Sequence, residues 1–127
     1  MSKLTSSLLI IFLGALIMAT LIFIQGKPVP VPGEYKYTQM LRSNYTWVAI
    51  FIQIITGFAL GVKYQYNPLR IGICLIGIFP LTATLESICY RGSHNLIPLE
   101  FAVYFLYSLP TACAAYAGKW IIKERHR

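Results

Sequence analysis

The sequence predicts an all-α integral membrane protein: four antiparallel transmembrane helices in a bundle, joined by short loops, with a Pro/Tyr-rich first external loop. Three observations carry this expectation. Of the 127 residues, 57% are hydrophobic and only 12% are charged, whereas an ordinary soluble domain carries about 25% charged residues. Four stretches of spanning length are almost free of charge. The net charge of +7, from 11 Lys plus Arg against four Glu and no Asp, falls mainly between those stretches, as expected of residues that anchor spans at lipid headgroups. Length allows a single domain over residues 1–127. The same composition excludes disorder, collagen-like repetition and a disulfide-stapled secreted scaffold. It also gives the basic balance a membrane meaning, so no nucleic-acid partner is expected.

The spans are expected at about 5–25, 45–62, 71–90 and 98–120. Each is close to the roughly 20 residues that cross about 30 Å of hydrocarbon at 1.5 Å per residue. Helices are required, because an isolated strand leaves its backbone unsatisfied in lipid. The first stretch follows Lys3 as a signal peptide would, but its apolar run is longer than an h-region and lacks a small-x-small cleavage site, which predicts a retained helix. In the first loop, Lys27-Pro-Val-Pro-Val-Pro-Gly33 imposes an extended path ending in a turn. The alternation from Glu34 to Thr38 then favours a short surface strand.

The second span carries Ala49, Gln53, Gly57 and Gly61 at intervals of four, a small-residue face with one amide near the midplane. Lys63 to Arg70 is a tight basic connection with interfacial Tyr64 and Tyr66. The third span contains Pro80, which predicts a kink, and a single charge, Glu86. The fourth contains Pro110, which likewise predicts a kink, and Glu100 as the only charge between Leu99 and Gly118. Tyr45, Trp47, Tyr90 and Trp120 fall at span ends as an aromatic belt. Cys74, Cys89 and Cys113 show no ligand spacing and read as small buried hydrophobes.

Counting basic residues sets the topology. With four crossings, Lys3, Lys63, Arg70, Lys119, Lys123, Arg125 and Arg127 share one side, and Lys27, Lys36, Arg42 and Arg91 the other. This favours cytoplasmic N- and C-termini in a plasma membrane or bacterial inner membrane.

Polar residues inside spans are costly and are the first functional candidates. In the fourth span Glu100, Tyr104, Tyr107 and Thr111 share one helical face, which continues into Ala114 and Gly118. In the third, Thr82, Glu86 and Cys89 do the same. The densest set is Glu86, Arg91, His94, Asn95 and Glu100 around the third loop. Two carboxylates from facing helix ends, with an imidazole above them, suit a cation, a proton relay or a cationic substrate. The expected site is therefore Glu86 and Glu100, assisted by His94, Arg91, Asn95, Tyr104 and Gln53, on the external side of a small transporter or channel-like protein.

Local structural roles compete for the same residues. Asn95 can cap the fourth helix, Glu100 can complement its N-terminus, and Arg91 can neutralise Glu86. Glu86 itself, about a turn inside its helix, has no capping role in view. No Walker loop, GxGxxG, GxSxG, HExxH or paired CxxC occurs, so neither catalysis nor a cofactor is expected. A narrow bundle of this kind would need a homo-oligomer or larger complex for transport. A non-catalytic accessory or scaffold subunit packing through its small-residue faces is the alternative. A lipid-headgroup enzyme using His94 and Glu100 is a weaker one.

Overall fold

The computed structural model describes residues 3–27, 35–64, 66–89 and 97–125. The described residues are all-α and form six helices: α1 (Lys3–Gln25), α2 (Lys36–Asn44), α3 (Trp47–Lys63), α4 (Pro68–Ile76), α5 (Ile78–Cys89) and α6 (Ile97–Arg125). One of them, α1, is long and apolar enough to cross a membrane. Up to three crossings are obtained if each of two bent pairs counts as one: α2 with α3, bent by 79°, and α4 with α5, bent by 45°.

The two bends have local causes. Pro80 lacks the N–H that would bond the Ile76 carbonyl, and its ring crowds that carbonyl, so the helix breaks one residue later, at Gly77. Gly77 is a turn between α4 and α5, and the kink expected of Pro80 is realised there. Pro110, by contrast, sits inside an unbroken α6. At the other bend, Tyr45 and Thr46 adopt non-helical backbone between α2 and α3.

The α2 helix corrects the strand expected from Glu34 to Thr38. Residues 36–38 form its first turn. Its buried residues, Thr38, Leu41 and Asn44, recur at three-residue steps, which is a helical rather than a strand period. The Lys27–Gly33 path lies outside the described residues beyond Lys27 itself.

Small residues bring the backbones together. Gly57 and Gly61 of α3 pack against Thr111 and Ala115 of α6, and Gly118 of α6 packs against Phe58 and Val62. Both chain directions ascend in that register, so α3 and α6 run parallel. A Cβ added to Gly61 would lie 2.1 Å from the Ala115 carbonyl oxygen, and one added to Gly57 2.7 Å from that of Thr111. Likewise Gly72 of α4 meets Ser108 and Ala112, and Gly14 of α1 meets Leu75. The face expected on α6 through Ala114 is rotated by one residue: Ala115 is fully buried, while Ala114 is half-buried.

Opposite ends of the assembly are tied differently. At the end where α1 begins, Arg70 Nε donates to Ser7 Oγ at 2.8 Å, its Nη2 donates to the Lys3 carbonyl, and Ser6 pairs with Tyr66 at 2.6 Å. Asn67 caps α4 by accepting from Leu69 N–H at 3.0 Å, with Pro68 in the first turn. At the end where α1 finishes, Gln25 donates to Thr46 Oγ1 at 3.0 Å, and α2 lies against α1 and α5.

The core around Met18, Ile76, Phe79, Ala83 and Tyr104 is apolar and aromatic. The buried set also includes Gln53, Ser108 and Thr111, while Phe23, Trp47, Phe51 and Ile88 are among many large apolar side chains left exposed. Cys74 is buried, but Cys89 and Cys113 are exposed, which corrects the reading of all three as buried hydrophobes.

Candidate functional site

Glu86 is the most constrained charge in the described structure. It is 5% exposed, and its carboxylate faces the first turn of α2. The Tyr37 N–H donates to Oε1 at 2.7 Å, and the Thr38 N–H donates to Oε2 at 2.9 Å. The Thr38 hydroxyl donates to Oε2 as well. The sequence explains why α2 needs this help. A helix leaves its first N–H groups without intrahelical partners, and Tyr35 at the N-cap supplies no side-chain capping bond. Glu86 supplies the cap from another helix and sets a negative charge against the positive end of the α2 dipole. The expectation that no capping role was open to Glu86 is therefore corrected.

The same carboxylate borders a groove of about 600 Å³ between α1, α2 and α5. Ala15 and Ala19 of α1, one turn apart, leave the space that larger side chains would fill. From α5 come Ile78, Thr82, Leu85, Glu86 and Cys89, and from α2 come Tyr37, Met40 and Leu41. The Thr82, Glu86 and Cys89 face read from the sequence thus lines one groove. Thr82 spends its hydroxyl on the Ile78 carbonyl at 2.8 Å, so Glu86 is the charged group in a mostly apolar lining.

The remaining site candidates are dispersed. Glu100 lies in the first turn of α6 and meets Arg42 Nη1 of α2 at 3.9 Å, with Arg42 47% and Glu100 20% exposed. Such a long, exposed pair contributes little. Tyr104 is buried in an aromatic cluster with Phe79, Phe101 and Tyr107, and its hydroxyl has no hydrogen-bond partner among the described residues. Gln53 is fully buried between α3 and α6, where its Oε1 accepts from the Tyr45 hydroxyl at 3.2 Å and its Nε2 has no partner among the described residues. Tyr45 in turn stacks on Tyr107 at 4.5 Å. Gln53 and Tyr104 therefore belong to the bundle interior and not to the groove. Arg91, His94 and Asn95 lie outside the described residues. No group of three or more His, Cys, Asp or Glu capable of holding a metal occurs among the described residues.

Sequence reasoning missed Tyr37, Thr38, Ala15 and Ala19. The three-residue spacing of Thr38, Leu41 and Asn44 was the available signal for α2, and Ala15 with Ala19 was a second small-residue pair in an otherwise bulky span. Comparison with protein-family models, with curated proteins and with solved structures finds no match, so the site is read from its own geometry.

Proposed function

We propose that the chain is an integral membrane protein of four antiparallel spans, formed by α1, α3, α4 with α5, and α6, with α2 lying across the external end. Its distribution of side chains supports this. On α6, Tyr104, Ser108 and Thr111 are buried while Leu99, Phe105, Leu106 and Trp120 are exposed. A water-facing helix would reverse that pattern. At 29 residues, α6 is about 43 Å long, enough to cross the hydrocarbon and continue beyond it. The basic residues Lys3, Lys63, Arg70, Lys119 and Lys123 gather at one end, which we take as cytoplasmic.

Within that frame the protein acts as a small carrier or channel-like protein for a cationic solute. The observation that carries this reading is Glu86: a buried carboxylate on a spanning element, bordering a groove, with no cationic side chain paired to it among the described residues. Intramembrane carboxylates usually mark ion, proton or substrate paths. Glu100 and Arg42 pair where α2 meets the first turn of α6, apart from the residues that line the groove. The bilayer is the primary partner. The glycine face of α3 is occupied by α6 of the same chain, so assembly with other copies would use other surfaces.

The test is flux in proteoliposomes. The protein should support uptake of protons or methylammonium down an imposed gradient, and Glu86→Gln should reduce it at least tenfold. Flux equal to that of empty vesicles, or unchanged in Glu86→Gln, overturns the carrier reading.

A further inference from the structure

We infer that the groove between α1, α2 and α5 binds a single-chain amphiphile with a protonated primary amine, its ammonium on Glu86 and its hydrocarbon tail between α1 and α5. This rests on the carrier reading and names its substrate class.

The head group follows from the chemistry of Glu86. An ionised carboxylate offers about four acceptor sites, and three donors from Tyr37 and Thr38 are in place. Among the described residues one acceptor site is left without a donor, and no cationic side chain is paired with this carboxylate at the groove. A primary ammonium brings both the positive charge and the N–H donor that match them. Calcium fits poorly, because it takes six to eight oxygen ligands, and the walls here are mostly apolar.

The tail follows from shape. The α5 residues that line the groove run from Ile78 to Cys89, about 16 Å along the helix. Ala15, Ala19 and Ile22 face them from α1. The volume of about 600 Å³ lies within the range of roughly 300–1,000 Å³ typical of sites for one small organic molecule. A long alkyl chain with one cationic end uses the whole length, whereas a compact cation would leave the apolar walls uncovered.

The experiment uses the full chain in phosphatidylcholine nanodiscs and a long-chain primary amine bearing an aliphatic diazirine. After irradiation, label is expected on the peptides of α1 around Ala15 to Ile22 and of α5 around Ile78 to Cys89. Excess dodecylamine should suppress it at least tenfold, while dodecanol should not. Glu86→Gln should lower labelling by a similar factor. Because that variant also disturbs the α2 cap, Ala19→Phe is the second variant: it fills the groove, leaves the hydrogen bonds to Glu86 intact and should block labelling too.

Equal competition by dodecanol, or labelling spread over α3 and α6, overturns the inference. So does competition by diacyl phosphatidylethanolamine as strong as that by dodecylamine, which would identify the ligand as a bilayer lipid. Flux sensitive to Glu86→Gln without amine-specific labelling overturns this inference and leaves the carrier reading standing. Amine-specific labelling without flux supports amine binding and removes transport.

Discussion

The α3–α6 seam and the α1–α2–α5 groove are both built from small residues on helices, yet one is closed and the other open. In the seam, Gly57 and Gly61 oppose Thr111 and Ala115 so closely that a methyl group has no room. Beside the groove, Ala15 and Ala19 face about 600 Å³ of space. The difference lies in what stands opposite. Small residues spaced by four on both α3 and α6 allow the backbones to meet. On the groove side, small residues on α1 face larger ones on α5, and the short α2 lies across the end, held there by Glu86. Small residues thus serve backbone contact in one region and leave a vacancy in the other.

The largest expected effect comes from closing off the seam. Gly61→Leu would drive a side chain into the Ala115 backbone, and overpacking of this kind costs about 1–3 kcal/mol or more. The opposing atoms here are backbone and cannot rotate away, so the upper end or loss of folding is expected. Thermal unfolding in detergent should show a large drop in Tm. Ala19→Leu, which points a similar side chain at open groove, should stay within about 0.5 kcal/mol of the parent. Equal losses in the two variants would erase the distinction between seam and groove.

Next in size is the cap. Glu86→Ala removes the acceptor for two backbone N–H groups and one hydroxyl, and leaving a buried donor unsatisfied costs about 1–3 kcal/mol. The loss should be local. Hydrogen exchange should accelerate at the first-turn amides of α2, Tyr37 and Thr38, while amides of α3 and α6 near Gly57 and Thr111 keep their protection. Uniform acceleration would mean that Glu86 supports the whole bundle.

How much of this was legible in the sequence differs between the same two regions. The seam could be read directly, because Ala49, Gln53, Gly57 and Gly61 repeat every four residues and a helix of 3.6 residues per turn places them on one face. Glu86 could also be singled out, since it is the single charge of its span. Its partner could not. The segment at 36–44 is short, follows a proline-rich stretch and begins with an alternation that mimics a strand, and its helix is completed by a carboxylate about fifty positions away in the chain. Local pattern cannot reveal a cap supplied by tertiary contact. Glu100 failed for a related reason. Closeness to Glu86 along the chain suggested a shared site, but Glu100 is paired with Arg42 of α2 and is not among the residues that line the groove. Gln53 and Tyr104 were read as members of the same polar site, whereas both are buried in the aromatic core and neither lines the groove.

The smallest expected effect is at the Arg42–Glu100 pair. Arg42 and Glu100 are partly exposed and 3.9 Å apart, and pairs of this kind contribute about 0–1 kcal/mol and weaken with salt. Glu100→Gln should therefore change stability by less than about 1 kcal/mol, with the difference from the parent shrinking further when ionic strength is raised from 0.01 M to 1 M. Its buried counterpart behaves otherwise. Glu86 is surrounded by protein and held by neutral donors, so the loss in Glu86→Ala should be nearly independent of salt. Measuring both variants at both ionic strengths separates two carboxylates that composition alone treats as equivalent. A strong salt dependence at Glu86, or a large salt-independent loss at Glu100, would exchange their roles and move the site from the groove to the Arg42–Glu100 pair.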